Sequence, residues 1–125
     1  MRTDPLGSYI DQVLDLYVRL PHTPIRSTTT DRRQALAFNS RTITWHTVET
    51  ALLLGSLRRL CRSADAPSLA PIRSLAYFLP VVEEVLQNTP PPHYTSYLRQ
   101  RIQPFLKNTP SKHPLGSRPK NSAFT

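Results

Sequence analysis

The residues with most chemistry to offer in this chain are its arginines. Thirteen of the sixteen cations are arginine, set against eight carboxylates, for a net charge of +8. A guanidinium carries a planar fork of N–H donors that meets two phosphate oxygens at once, whereas a lysine acts as a point charge. Such a bias points to phosphate recognition, with nucleic acid as its most general source. Arg32, Arg33 and Arg41 form one group, and Arg58, Arg59 and Arg62 a second. Beyond Glu84 no acidic residue occurs, while Arg99, Arg101, Lys107, Lys112, Arg118 and Lys120 follow. The competing view is an arginine-rich composition with solvated side chains. Anionic membrane surfaces and acidic proteins are weaker candidates.

Catalytic chemistry finds few residues. His46 and Glu49 are three apart on a helical stretch and could share a metal, but two ligands do not make a site. Glu83 and Glu84 are adjacent, so a helix points them in different directions and they form no acid/base pair. His22, His93 and His113 lie in linker or tail sequence without a local partner. Cys61 is the single cysteine, which excludes an internal disulfide and a cysteine-based zinc site. Arg58 and Arg62 would favour its thiolate, yet its core-like position predicts a buried thiol. Three glycines leave no phosphate-cradling loop. No enzyme, cofactor or metal site is expected.

The elements that would carry these residues are helical throughout. Asp4 and Pro5 can open a first helix, along which Leu6, Tyr9, Ile10, Val13, Leu14, Tyr17 and Val18 recur at helical spacing until Leu20-Pro21. Residues 21–30 read as a linker. A short helix is expected over Asp31–Asn39, with Asp31 and Gln34 as its capping box. Asn39 to Thr42 reads as a turn. A third helix, about Thr44 to Arg62, is apolar on more than one face and so belongs at the centre. After a linker at 63–70, a fourth helical segment is expected to start at Pro71 and run to Asn88, kinking or breaking at Pro80. Thr89-Pro90-Pro91-Pro92 stops it. A fifth helix, about Tyr94 to Leu106, presents Tyr94, Tyr97, Leu98, Ile102 and Phe105 on one side. Tyr94 and Tyr97 beside Arg99 and Arg101 have the composition of a single-strand-binding surface, but their spacing is that of a buried stripe and predicts buried tyrosines. The expectation is an all-α, four- to five-helix bundle over 1–106, with a disordered basic tail over 107–125. The longest apolar runs, such as Ala51 to Leu54, are far too short to cross a bilayer, and no signal-peptide core is visible. A cytoplasmic protein with no membrane association is expected, its oligomeric state left open.

The helices around 31–39 and 44–62, joined by four residues, resemble a helix-turn-helix, which places its second helix in the major groove. Ile43, Val48 and Ala51 have the spacing of its buried residues. Thr44, Trp45, His46, Thr47 and Thr50 would then face the groove, with Arg32, Arg33 and Arg41 on phosphates. The turn has no glycine, and Phe38 stands where a small residue is usual.

The segments DRRQALAF, TVETALLLGSLRRLCR and PIRSLAYFLPVVEEVL are similar to small, uncharacterised bacterial helical proteins, some of which occur near mobile elements. A looser similarity is to helical accessory segments of plasmid or phage replication proteins. The resemblance covers roughly residues 4–88 and implies a compact helical fold without an assigned activity. The functional expectation is a non-enzymatic nucleic-acid-binding protein, with DNA as its form, accessory to replication, recombination or transcription. Its contact residues would be Arg32, Arg33, Arg41, Thr44, His46, Thr47, Arg58, Arg59 and Arg62. The alternative is a protein-interaction adaptor whose exposed apolar face includes Tyr77, Phe78 or Val81.

Overall fold

The computed structural model describes residues 5–62 and 65–107. The tail beyond Lys107 and the Asp4 cap lie outside the described residues. Within them the fold is all-α: α1 (Pro5–Arg19), α2 (Thr29–Ser40), α3 (Trp45–Leu60), a 3₁₀ turn (Leu75–Phe78), α4 (Leu79–Gln87), α5 (Pro92–Ile102) and a second 3₁₀ turn (Gln103–Phe105). No helix among the described residues is long and apolar enough to cross a membrane.

Helix α3 is the axis of the core. Val48, Ala51, Leu52 and Leu53 are fully buried, and the helix packs against α1, α4, α5 and the first 3₁₀ turn. From α1, Ile10, Val13, Leu14 and Tyr17 close one side of this core. Phe78 closes another, its ring edge-on to Tyr17 at 6.3 Å. It packs so near Gly55 of α3 that a Cβ there would stand 2.9 Å from the Phe78 ring. The glycine is what lets the turn approach the helix.

Local chemistry shifts several boundaries. Helix α2 begins two residues before Asp31, because Thr28 is its cap. The Thr28 hydroxyl accepts from the Asp31 N–H, and the Asp31 carboxylate accepts from the Thr28 N–H, so the capping box is Thr28–Asp31 rather than Asp31–Gln34. Asp31 is also fully buried, and its second oxygen accepts the Leu75 N–H at 2.9 Å. One carboxylate thus starts α2 and fastens the 3₁₀ turn to it. Pro80 breaks its segment instead of kinking it: the 3₁₀ turn ends at Phe78, and Pro80 stands in the first turn of α4, where its missing N–H costs nothing. Helix α3 stops at Leu60, so Cys61 lies on the cap beyond the last covered turn. It is exposed, which corrects the expected buried thiol.

Candidate functional site

The first cluster of predicted contact residues surrounds the α2–α3 turn. The Ile43 N–H donates to the Phe38 carbonyl, and the Thr42 N–H to that of Asn39. With Thr42 at φ 58° this is a Schellman cap, in which a threonine takes the left-handed place usually held by glycine. Ile43 and Phe38, both buried, supply its apolar contact. The two helices flanking the turn do not form one packed unit, however: α2 packs on α1 and the 3₁₀ turn, while α3 packs on α1, α4, α5 and that turn.

The polar residues at this end are mostly engaged with the fold. Thr44 caps α3, accepting from the Thr47 N–H, and its hydroxyl donates to the Thr47 side chain. The Thr50 hydroxyl donates to the His46 carbonyl and is fully buried, 2.6 Å from the Thr95 hydroxyl of α5. It cannot face a groove, because α5 covers that side of α3; this corrects the expected placement of Thr50. His46 Nε2 lies 3.3 Å from the same Thr95 hydroxyl. Trp45 is half-buried against the core. Arg41 meets Glu83 of α4 in a two-bond pair at 2.5 and 3.2 Å. The hydrogen bonds, then the charge of the partner, hold the Glu83 carboxyl below and the Arg41 guanidinium above their usual ranges. Arg32 and Arg33 are exposed, but Arg32 shares its depression with Asp11 and Asp15.

The second cluster, at the far end of α3, is organised differently. Arg59 donates to the Ala70 carbonyl at 2.9 Å and to the Tyr77 hydroxyl at 3.1 Å, with its guanidinium 5.3 Å from the Tyr77 ring centre. Arg62 donates to the Pro67 carbonyl at 2.7 Å. These partners are neutral, so both arginines are oriented without losing their charge. Arg58 alone of the three meets a carboxylate, Glu84 of α4. That hydrogen-bonded pair raises the Arg58 guanidinium and lowers the Glu84 carboxyl; Tyr94 of α5 is near enough to add a small upward push on Arg58. The three arginines rim a groove of about 360 Å³ floored by Gly55, Tyr77, Pro80 and Val81. A second groove of about 360 Å³ adjoins it through Arg59, Arg62 and Leu69 and reaches His22.

On α5 the tyrosines correct a further expectation. The buried face consists of Thr95, Leu98 and Ile102, so Leu98 and Ile102 of the anticipated stripe are buried and its aromatic members give way to Thr95. Tyr97 is therefore 48% exposed, as is Phe105, and Tyr94 is half-buried. Tyr94 and Tyr97 stack with centres 6.1 Å apart, and Arg101 lies over Tyr97 at 5.7 Å while donating to its hydroxyl. Tyr77 and Tyr97 were absent from the predicted contact set. The signal for Tyr97 is its neighbouring arginine, Arg101, four residues on along one helical face, which the stripe-like spacing outweighs in the sequence. Glu49 and Arg99 make a two-bond pair between α3 and α5 at 2.7 and 2.8 Å, so Glu49 is committed to an arginine.

No known protein family, curated protein or solved structure matches this chain.

Proposed function

We propose that the protein is a non-enzymatic nucleic-acid-binding module whose phosphate contacts come from the C-terminal end of α3, beside the 3₁₀ turn and α4. The carrying observation is that Arg59 and Arg62 are held by main-chain carbonyls at a groove rim, fixed in place yet not neutralised. Arginines arranged this way can exchange solvent for phosphate oxygens at little ordering cost. Arg41, Arg58 and Arg99, each paired with a glutamate, have less to offer an anion. Arg33 on α2 and Arg101 on α5 are further exposed cations.

A salt titration of binding to a labelled oligonucleotide, followed by fluorescence anisotropy, tests this. Affinity should fall steeply as salt rises, with the log–log slope shrinking by about one for each phosphate-contacting arginine removed. Arg59→Ala and Arg62→Ala should each flatten that slope. No binding at low salt, or affinity indifferent to salt, would overturn the proposal.

One observation favours the adaptor alternative: the groove floor is apolar, with Tyr77 42% exposed and Val81 half-buried. Phe78, however, is fully buried and contributes nothing to that surface. A partner docking on the apolar floor alone would bind as well in high salt as in low, so the same titration separates the two.

A further inference from the structure

We infer that the ligand is single-stranded nucleic acid, its bases stacking at Tyr77 and Tyr97 while Arg59, Arg62 and Arg101 take the phosphates. This inference rests on the nucleic-acid reading above and narrows it.

Two surface sites share one construction. At each, a tyrosine more than two-fifths exposed lies beneath an arginine that also donates to its hydroxyl: Arg59 with Tyr77, and Arg101 with Tyr97. An aromatic ring with a guanidinium across it is a platform for an unpaired base, which stacks on either plane while the cation meets the adjoining phosphate. The sites are linked through α3. Arg58 precedes Arg59 in the chain and lines the Tyr77 groove, while Thr50 of the same helix meets Thr95 of α5, two residues before Tyr97.

Charge complementarity favours a nucleic-acid occupant over an apolar one. No carboxylate within salt-bridge distance opposes Arg59, Arg62 or Arg101 among the described residues, and the chain as a whole carries +8. Bases in a duplex are already stacked on one another and cannot present their faces to these rings. Of the residues that would read a duplex groove, Thr50 is buried and Thr44 caps α3, and Arg41, which would take a phosphate, is paired with Glu83. An unpaired strand is what this surface fits.

The test compares oligo(dT), oligo(U) and a duplex of equal length, about 12 nucleotides, at matched salt. Both single strands are expected to outcompete the duplex by at least about tenfold, and their ratio tells DNA from RNA. Tyr97→Ala and Tyr77→Ala should each weaken single-strand binding by about five- to a hundredfold, the range of one lost base stack. Tyr97→Phe, which keeps the ring, should bind nearly as the parent does. Far-UV circular dichroism checks that the alanine variants remain folded; if one does not, the single-strand-to-duplex ratio of the parent protein decides. Equal or preferred duplex binding, or tyrosine variants that bind normally while Arg59→Ala and Arg62→Ala still weaken it, would overturn the single-strand inference and leave the nucleic-acid reading standing. Absence of any oligonucleotide binding at low salt would remove both.

Discussion

The two ends of α3 carry similar residues and put them to opposite use. At the α2–α3 turn, threonines cap α3 and cross-link it to α5, and Arg41 is neutralised by Glu83, just as buried Asp31, at the other end of α2, is spent joining that helix to the 3₁₀ turn. At the far end, Arg59 and Arg62 lean on main-chain carbonyls and on Tyr77, so no carboxylate among the described residues cancels their charge. The same arginine can serve folding or serve a ligand, depending on whether its nearest partner is a carboxylate or a neutral oxygen. Residue type alone does not distinguish the two.

That contrast can be broken most severely at Asp31. Asp31→Ala removes a capping partner and orphans the buried Leu75 N–H, and should cost about 3 kcal/mol, measured by urea denaturation. Oligonucleotide affinity measured well below the denaturation midpoint should hardly change. Alkaline pH comes next. Burial raises the Tyr9 phenol to about 12, and burial followed by the nearby Asp31 charge raises that of Tyr17 further. Both native phenols stay protonated above the unfolded value of 10.0, where the unfolded chain has lost those protons. Stability should therefore be intact below pH 10 and decline from there through about pH 12. Denaturation midpoints alongside phenolate absorbance would show it.

Gly55→Ala, in the arginine-lined groove, should cost about 2 kcal/mol, since the fully buried Phe78 ring must move to admit a methyl group. A thermal melt showing no loss would mean that the 3₁₀ turn can slide on α3. Thr42→Gly should instead stabilise by about 1 kcal/mol, by relieving a β-branched residue at φ 58°. Glu84→Gln should alter stability least and sharpen the comparison most. With its carboxylate partner removed, Arg58 joins the exposed cations, so binding should tighten and the salt slope steepen by about one.

The helices themselves were legible because apolar spacing and proline act over a few residues. Pro5, Pro21 and Pro80 mark boundaries for reasons internal to the backbone, and the stripe of α1 leaves no other face to bury. The three threonines at 28–30 looked like linker, yet the first of them caps α2, since a cap depends on where the next turn closes. The candidate site was only half visible. Arg58, Arg59 and Arg62 were grouped correctly, but their partners come from 67–84, and nothing local tells a carbonyl partner from a glutamate. The same applies to Glu83 and Glu84: their divergence was foreseeable, their reach to Arg41 and Arg58 was not.

The outward position of Tyr97 has its cause inside the protein. Thr50 and Thr95 meet hydroxyl to hydroxyl at 2.6 Å in the core, a contact that α5 can satisfy in only one rotational setting. Turning the helix would break that buried pair, leaving Thr50 only its bond to the His46 carbonyl. The small pair therefore acts as a rotational stop, and the outer face of α5 inherits its composition from that stop. Relatives that use this surface in the same way would be recognised by two small polar residues facing each other in the interior, before any tyrosine is compared.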